Sequence, residues 1–530
     1  MHLIHRCQQG FTTVTLMGTL MVGGLLVAAS FAAVQPDIAF TQKDDDSKQA
    51  YAAAEAGVNY YMNRLGQDNG YYAKCDQVPS PTQNAVNLEW NGTGADPRTY
   101  QKIPGYPSEY AVELLAVQTA AAGTEQCQVA VPESMVNPMT GTFRIRSTGR
   151  VRTPTSSADK PAKRSIVVTL RRKSFIDFLW FTNYETLDPA AYSPNASTET
   201  PTWAAANCIA YRGTRSSSCD DISFLTVDNL QGPLHTNDSL LICGSPTFGK
   251  DANDLIELNG NSPGWTNSCS ASPNFQGTVV HPGGILPMPQ TNSELANAAD
   301  PAYTFSGETS IVFNGDTMTV NGGAAVPLPD TGVIYVKNTS CGSGFTRKNT
   351  LPNPLPVSNP GGATLAGCGN VYVSGTYNKD ITIGADNDII VVDDFKSNNL
   401  ATTLGGLIAN NFVRVYHPVN NWSNNDTDCD NNNGPGSIQI DAAILALNHS
   451  FIADNWYCGN PLGTLTINGA IAQKFRGTVS TFSSGSTVAT GYAKAYNYNR
   501  ALRYREPPYF IAPTESAWRI VRQNEQVPAR

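Results

Sequence analysis

The sequence is poor in charge. Only 15% of its 530 residues are Asp, Glu, Lys or Arg, and no basic block is long enough to hold a nucleic acid by its phosphates. The formal net charge of −8 is read as solubility and not as partner choice. Histidine is scarcer still, with six in the chain. Two of them, His2 and His5, lie at the extreme N-terminus; His235, His281, His417 and His449 stand alone, without HExxH or His-x-His spacing. No CxxC pair occurs, which argues against a zinc ribbon or a thioredoxin-like site. There is no GxSxG and no Walker sequence, and the Gly-rich stretches lack the Lys that would address a phosphate. Catalysis is therefore not the expected role.

What the chain does have is 45 Gly, 34 Pro and abundant Asn, Thr and Ser, the composition of a turn-rich and largely β protein. Its length calls for two or three domains, because single cores stop growing well below that size. One stretch stands apart. Residues 11–34, FTTVTLMGTLMVGGLLVAASFAAV, form an uncharged apolar run of about the length that spans a hydrocarbon core. A short leader, residues 1–10, precedes it, carrying His2, His5 and Arg6 and ending at Gly10. An ordinary secretory signal places its cleavage site after the apolar core. Here the only candidate cut comes before it, between Gly10 and Phe11, so the helix would be kept. Lys43 and Lys48 against Arg6 leave the positive-inside rule undecided.

The Gly10-Phe11 join resembles the prepilin cleavage and methylation site of type IV pilins. That resemblance implies processing after Gly10 by a prepilin peptidase, with Phe11 as the mature N-terminus. It also implies a single membrane helix with a cytoplasmic N-terminus and the bulk of the chain outside, and a final place on a pilus or the cell surface. The implied partners are other pilins and the pilus assembly machinery. The family pattern has Glu at the fifth mature position, where its carboxylate meets a neighbour's N-terminal amine and each relieves the cost of a charge in lipid. Here that position is Thr15. A hydroxyl cannot neutralise an amine, and this assembly residue points to a minor subunit at the filament tip. The phrase AYAAAEAGVNYY resembles the stretch after the anchor in PilX-like minor pilins, where the helix continues from membrane into head.

In residues 35–66, Gln35-Pro36-Asp37 is expected to kink or re-cap the helix. From Ser47 to Leu65 an amphipathic face repeats at Tyr51, Ala54, Val58, Tyr61, Met62 and Leu65. Strand-like runs follow at residues 109–117, 142–151 and 164–174, so residues 67–175 read as a pilin-like head, α+β with the helix across an antiparallel sheet. The aromatic cluster Phe175, Phe178, Trp180, Phe181 and Tyr184 opens a linker or packing plug at 176–223. From 224 to 500 short β-branched runs are cut by Gly and Asn. A small-x-aliphatic-Ala phrase recurs there at Gly406–Ala409, Ala443–Ala446 and Gly469–Ala472. Recurring strand, small residue and Asn predict a parallel β-solenoid, or β-helix, with an irregular β-sandwich as the competing fold. Residues 501–530, including Trp518, are expected to fold back as a cap.

Of the eleven cysteines, Cys7 lies in the leader. The other ten fall into successive neighbours, Cys75 with Cys127, Cys208 with Cys219, Cys243 with Cys269, Cys341 with Cys368 and Cys429 with Cys458. An even number outside the membrane favours disulfides, although ten cysteines allow many pairings.

The most enzyme-like feature is GADNDIIVVDDF, with Asp386, Asp388, Asp393 and Asp394, because polysaccharide-cleaving enzymes often put acidic clusters on parallel β-helices. Adjacent Asp393 and Asp394 on a strand point to opposite faces, however. Asp426, Asp428 and Asp430 alternate in DTDCDNNNG, the oxygen crowding a hard cation such as calcium wants. The loop fails the EF-hand template, since Gly comes too late and Ser437 stands where the bidentate Glu would be. No cofactor is otherwise expected. The expected function is a structural and adhesive pilus or pseudopilus subunit that primes or caps the filament. The alternatives are an anchored β-helix enzyme acting on polysaccharide and a surface protein that never assembles.

Overall fold

A computed structural model describes residues 13–67, 100–115, 142–151, 162–342, 345, 347–348, 350–356, 367–421, 429–483, 487–513 and 518–529. Within the first helix, the described side chains are those of residues 16–29 and 43–67. Two compact units divide the chain. One takes Met1–Met135, Phe143–Leu170 and Ile520–Arg530; the other takes Val136–Thr142 and Arg171–Arg519.

The first unit is a helix on a small sheet. The helix, Thr13–Gln67, runs as one element through Pro36, so the expected re-cap at Gln35-Pro36-Asp37 is not made. Its second half buries Ala50, Ala53, Ala54, Val58, Tyr61 and Leu65, a stripe at three and four residue steps as a helix face on a sheet requires. The sheet has five strands in the order Gln101–Lys102, Ser108–Leu115, Thr142–Val151, Lys163–Arg172 and Trp518–Gln526. Two glycines set how closely helix and sheet approach. A Cβ on Gly149 would lie 2.0 Å from the Ala50 carbonyl oxygen and 2.5 Å from the Ala54 nitrogen; one on Gly57 would lie 2.3 Å from Ser147 Oγ. Arg146 donates to Glu113 at 3.2 Å and to Gln526 at 2.7 Å, which ties the last strand to the sheet. The expected C-terminal cap is thus in part an added strand, although Leu502 and Phe510 are buried in the large unit.

Among the described residues, the second unit is built on one sheet of 23 strands. It curls so that two ladders share a core, with Leu234, Ile383, Leu407 and Ile444 contributed from one and Phe248, Val373, Ile389 and Ile467 from the other. The first ladder pairs Thr304–Ser306, Val333–Lys337, Ile381–Ala385, Gly405–Ala409, Ala443–Ala446, the second half of Pro461–Arg476, Trp180–Leu187, Leu234–Thr236, Leu255–Glu257 and Thr278–Val280, in that spatial order. The recurring small-x-aliphatic-Ala phrases are three neighbouring rungs of it. Gly406 pairs with Ala443 and Ala443 with Ala470, while Leu407, Ile444 and Ile471 follow one another across the rungs. Leu407 and Ile444 face the inner core, whereas Ile408 and Leu445 face a second apolar cluster outside it. Burial on both faces explains why these strands read as unbroken apolar runs.

The expectation of an α+β head followed by a repeating parallel β-solenoid is corrected by this sheet, which is mixed and irregular. Thr309–Gly315, Thr317–Val320 and Ala325–Pro327 form an antiparallel meander, and Ser480–Ser483 pairs antiparallel with Thr487–Tyr498. Nor do the rungs stack in chain order. The chain enters in the middle at Trp180–Leu187 and steps to one edge at Thr278–Val280. Residues 281–303 then carry it to the opposite edge at Thr304–Ser306, from which it winds back until Pro461–Arg476 pairs with Trp180–Leu187. That long return is pinned from within. Asn292 donates to the carbonyls of Ala385 and Ile408, and Asn237 donates to the Leu286 carbonyl while accepting from its N–H.

Candidate functional site

Among the described residues, no helix is long and apolar enough to cross a membrane. This corrects the expected transmembrane helix, and with it the membrane as a partner and the single-pass placement with its bulk outside. The apolar part of the helix with described side chains is residues 16–29. What it offers instead is an uncovered apolar surface. Leu16, Met17, Leu20, Met21, Val22, Leu25, Leu26 and Val27 are all exposed, between 56% for Leu16 and 74% for Met21. Gly10 and Phe11 lie outside the described residues. Thr15 is in the helix, but its side chain lies outside the description.

Disulfides join Cys208 to Cys219, Cys243 to Cys269, Cys341 to Cys368 and Cys429 to Cys458. Such bridges persist in oxidising compartments. Cys75 and Cys127 lie outside the described residues, as do Asp426 and Asp428. Asp430 sits in the short strand Asp430–Asn431 and accepts from Asn421 at 2.9 Å. Among the described residues, no three His, Cys, Asp or Glu side chains are grouped to hold a metal ion.

The four carboxylates of the 386–394 stretch go to four different tasks. Asp386 accepts from the Tyr335 hydroxyl at 2.6 Å and from the Asn338 N–H at 2.8 Å. Asp388 is buried beside Arg414, at 2.9 Å, and accepts from the Phe412 N–H. Asp393 is exposed and accepts from the N–H of Asp394. Asp394 pairs with Lys396 at 2.6 Å and accepts from the Gln439 N–H. Burial pushes the Asp394 carboxyl up, but these donors outweigh it and hold it below its ordinary value. An acid and base pair needs two carboxyls addressing one bond, and these are each engaged elsewhere.

Sequence reading missed the charged groups buried in the large unit. Arg414 lies between Asp388 and Asp454, whose Oδ1 is 2.8 Å from its Nε; all three side chains are almost fully buried. Arg476 faces Glu185 at 3.5 Å, donates to the Ile222 and Ser223 carbonyls, and lays its guanidinium 3.6 Å from the Phe224 ring centre. Desolvation raises the Glu185 carboxyl despite that cation. Arg215 meets Asp238 at 2.5 Å. For Arg414 the signal was faint, a lone Arg inside the apolar run Phe412–Tyr416; Arg215, in the polar stretch Gly213–Ser218, gave none.

One cluster has the residue types of a hydrolase. Asp188 accepts from Ser450 Oγ at 3.0 Å and lies 3.0 Å from His449 Nδ1, while the imidazole stacks on Phe412 at 4.3 Å. Burial pulls the imidazole down, but the Asp188 carboxylate outweighs it and the net shift is upward. In a catalytic triad the serine must hand its proton to the imidazole. Here Ser450 spends its proton on the aspartate, so the cluster reads as a structural clasp. Compared with known proteins, the chain matches no family model, no curated protein and no solved structure.

Proposed function

We propose that the chain is a minor, structural and adhesive subunit of a type IV pilin-like filament, with the large β unit as the displayed part. The observation that carries this reading is the uncovered apolar half of the helix. Large aliphatic side chains each gain about 1.5–3 kcal/mol on full burial, so a row of eight of them calls for a partner. In a filament that partner is the matching helix of neighbouring subunits, packed knobs into holes. The helix face Ala50 to Leu65 is already used on its own sheet, and this leaves the first half for assembly. Cleavage at Gly10-Phe11 and the hydroxyl at Thr15 belong to the same proposal. With no carboxylate at that position, the subunit primes or caps the filament and does not repeat along it. A catalytic role has less support, because the acidic groups are spent on internal contacts.

The test is to replace Leu20 and Leu25 by Asp in the full chain and follow its incorporation into sheared filaments, together with the mass of the mature N-terminus. Incorporation is expected to be lost while circular dichroism and the disulfides stay unchanged, and the native chain should begin at Phe11. A native chain that still begins at Met1, or filaments that take up the double variant normally, would overturn the reading.

A further inference from the structure

The stack of rungs in the large unit ends at Thr278–Val280, and among the described residues that end is uncovered. The core column Trp180, Leu234, Ile256 and Val279 runs in paired register; its first three members are 5%, 0% and 0% exposed, and Val279 is 43% exposed. On the other ladder Phe275 stacks on the buried Phe248 at 5.4 Å and is itself only partly covered. The backbone is open at the same place. Thr278 donates its N–H to the Asp254 carbonyl, and the Val280 carbonyl accepts from the Leu258 N–H, both toward the rung below. By the alternation of a strand, the N–H and C=O of Val279 between them point outward, and the one pairing of this strand among the described residues is with Leu255–Glu257. The opposite end of the second ladder is closed. There the antiparallel meander lays Met318, and Leu328 just after it, into the core, and its outer strand Ala325–Pro327 ends on a proline, which has no N–H to offer. Charge selects what covers the open end. Residues 258–293 contain no Asp, Glu, Lys or Arg, in a chain that is 15% charged overall. The carboxylates on the rung below are engaged, Asp254 by Arg503 at 2.6 Å and Glu257 by Lys173 at 2.7 Å. Exposed edges are ordinarily guarded by charge against pairing, and this one is not.

We infer that this end is an interface for a second copy of the chain, in which two Thr278–Val280 strands pair antiparallel about a two-fold axis at Val279. That register lets each Val279 N–H donate to the other Val279 carbonyl, the reciprocal pair of an antiparallel ladder, and brings both Val279 side chains to one face. The surface is its own complement. A chain of net charge −8 meets its copy with least repulsion where neither carries charge, and a charged partner would find no counter-charge there. An isologous contact also closes on itself, so it joins two copies and no more. The strands are short and the area small, which places the pair in the weak, transient class. All of these residues lie within the large unit, so the inference stands apart from the helix and from the filament reading.

The experiment is sedimentation equilibrium of the full-length, oxidised chain at concentrations up to about 100 μM. Leu20→Asp and Leu25→Asp are carried throughout, so that the apolar helix does not contribute to association. The mass of this parent should rise with concentration to that of a dimer and no further. Val279→Lys and, separately, Thr278→Lys should each weaken the dimer about tenfold or more, with circular dichroism unchanged. Val326→Lys, on the guarded meander, should leave the dimer as it is. A parent that stays monomeric over the whole range would overturn the inference. So would normal pairing of both lysine variants at the open end, growth beyond a dimer, or loss of pairing with Val326→Lys, which would mean that the two ends meet head to tail.

Discussion

Replacing Arg414 by Met would keep the apolar stem of the side chain and remove a cation that holds two buried carboxylates. Asp388 and Asp454 are 2.9 and 2.8 Å from the guanidinium, and the three side chains are 1%, 0% and 4% exposed for Asp388, Asp454 and Arg414. Taking one partner from a buried ion pair costs about 3–5 kcal/mol, because the group left behind keeps its desolvation penalty. With two buried carboxylates losing a cation in one substitution, the loss at pH 8 should fall at the upper end of that range.

The sign of its pH dependence follows. In the variant the stranded carboxyls should hold their protons to higher pH than they do in the unfolded chain, where they ionise near about 3.9. A carboxyl whose folded pKa is raised in this way loses stability as pH climbs above the unfolded value. The deficit should therefore be smallest near pH 5 and largest near pH 8. Urea unfolding of the oxidised protein followed by Trp fluorescence at both pH values measures it. The triple change Arg414→Met, Asp388→Asn and Asp454→Asn should recover much of the loss. A deficit under about 1 kcal/mol at pH 8, or one equal at the two pH values, would refute the ion-triad account.

Gly149→Val should disrupt the helix-on-sheet unit, because its Cβ would lie 2.0 Å from the Ala50 carbonyl oxygen and overpacking costs about 1–3 kcal/mol even where side chains can give; limited proteolysis near residues 50–60 reads this out. Burial lifts the Glu506 carboxyl to about 7 despite Arg171. Its contribution to stability should accordingly decline by about 3 kcal/mol as pH rises from 4.5 to 7, and Glu506→Gln should flatten that part of the stability profile. Replacing Cys208 and Cys219 by Ser opens a short loop of separation 11 and should cost about 2–3 kcal/mol, seen as a lower urea midpoint for the large unit without loss of its circular dichroism.

Local pattern was the legible part of the chain. The amphipathic stripe at Ala54, Val58, Tyr61 and Leu65 named the helix face that is buried, and alternation in FRIRSTGRV marked the strand Thr142–Val151. The small-x-aliphatic-Ala phrase marked rungs that do lie side by side. What was not legible is order in space. A rung pattern states that strands stack; it says nothing of which rung is first, so a permuted stack and a regular solenoid share one local signature. The antiparallel excursion over residues 309–327 also hid inside ordinary β-branched runs. The buried charges were missed for a related reason. Arg414 and Asp454 are 40 residues apart, and a pair that meets only in the folded state leaves no spacing to read.

The permuted order also decides where the large unit is vulnerable while it folds. Trp180 pairs in register with Ile471 and Leu230 with Tyr496, so the middle of the sheet closes only after nearly the whole unit has been made. Contacts of that separation are slow to form because the intervening chain must first be ordered. Until then the strand Trp180–Leu187 has a bare edge on one side, the kind that recruits other chains. The four disulfides among the described residues cannot close it. Their separations of 11, 26, 27 and 29 residues join nearby segments and hold them locally. The seam depends on side chains, with Trp180 stacked on Tyr496 at 6.2 Å and Arg476 wedged against Phe224 and Glu185.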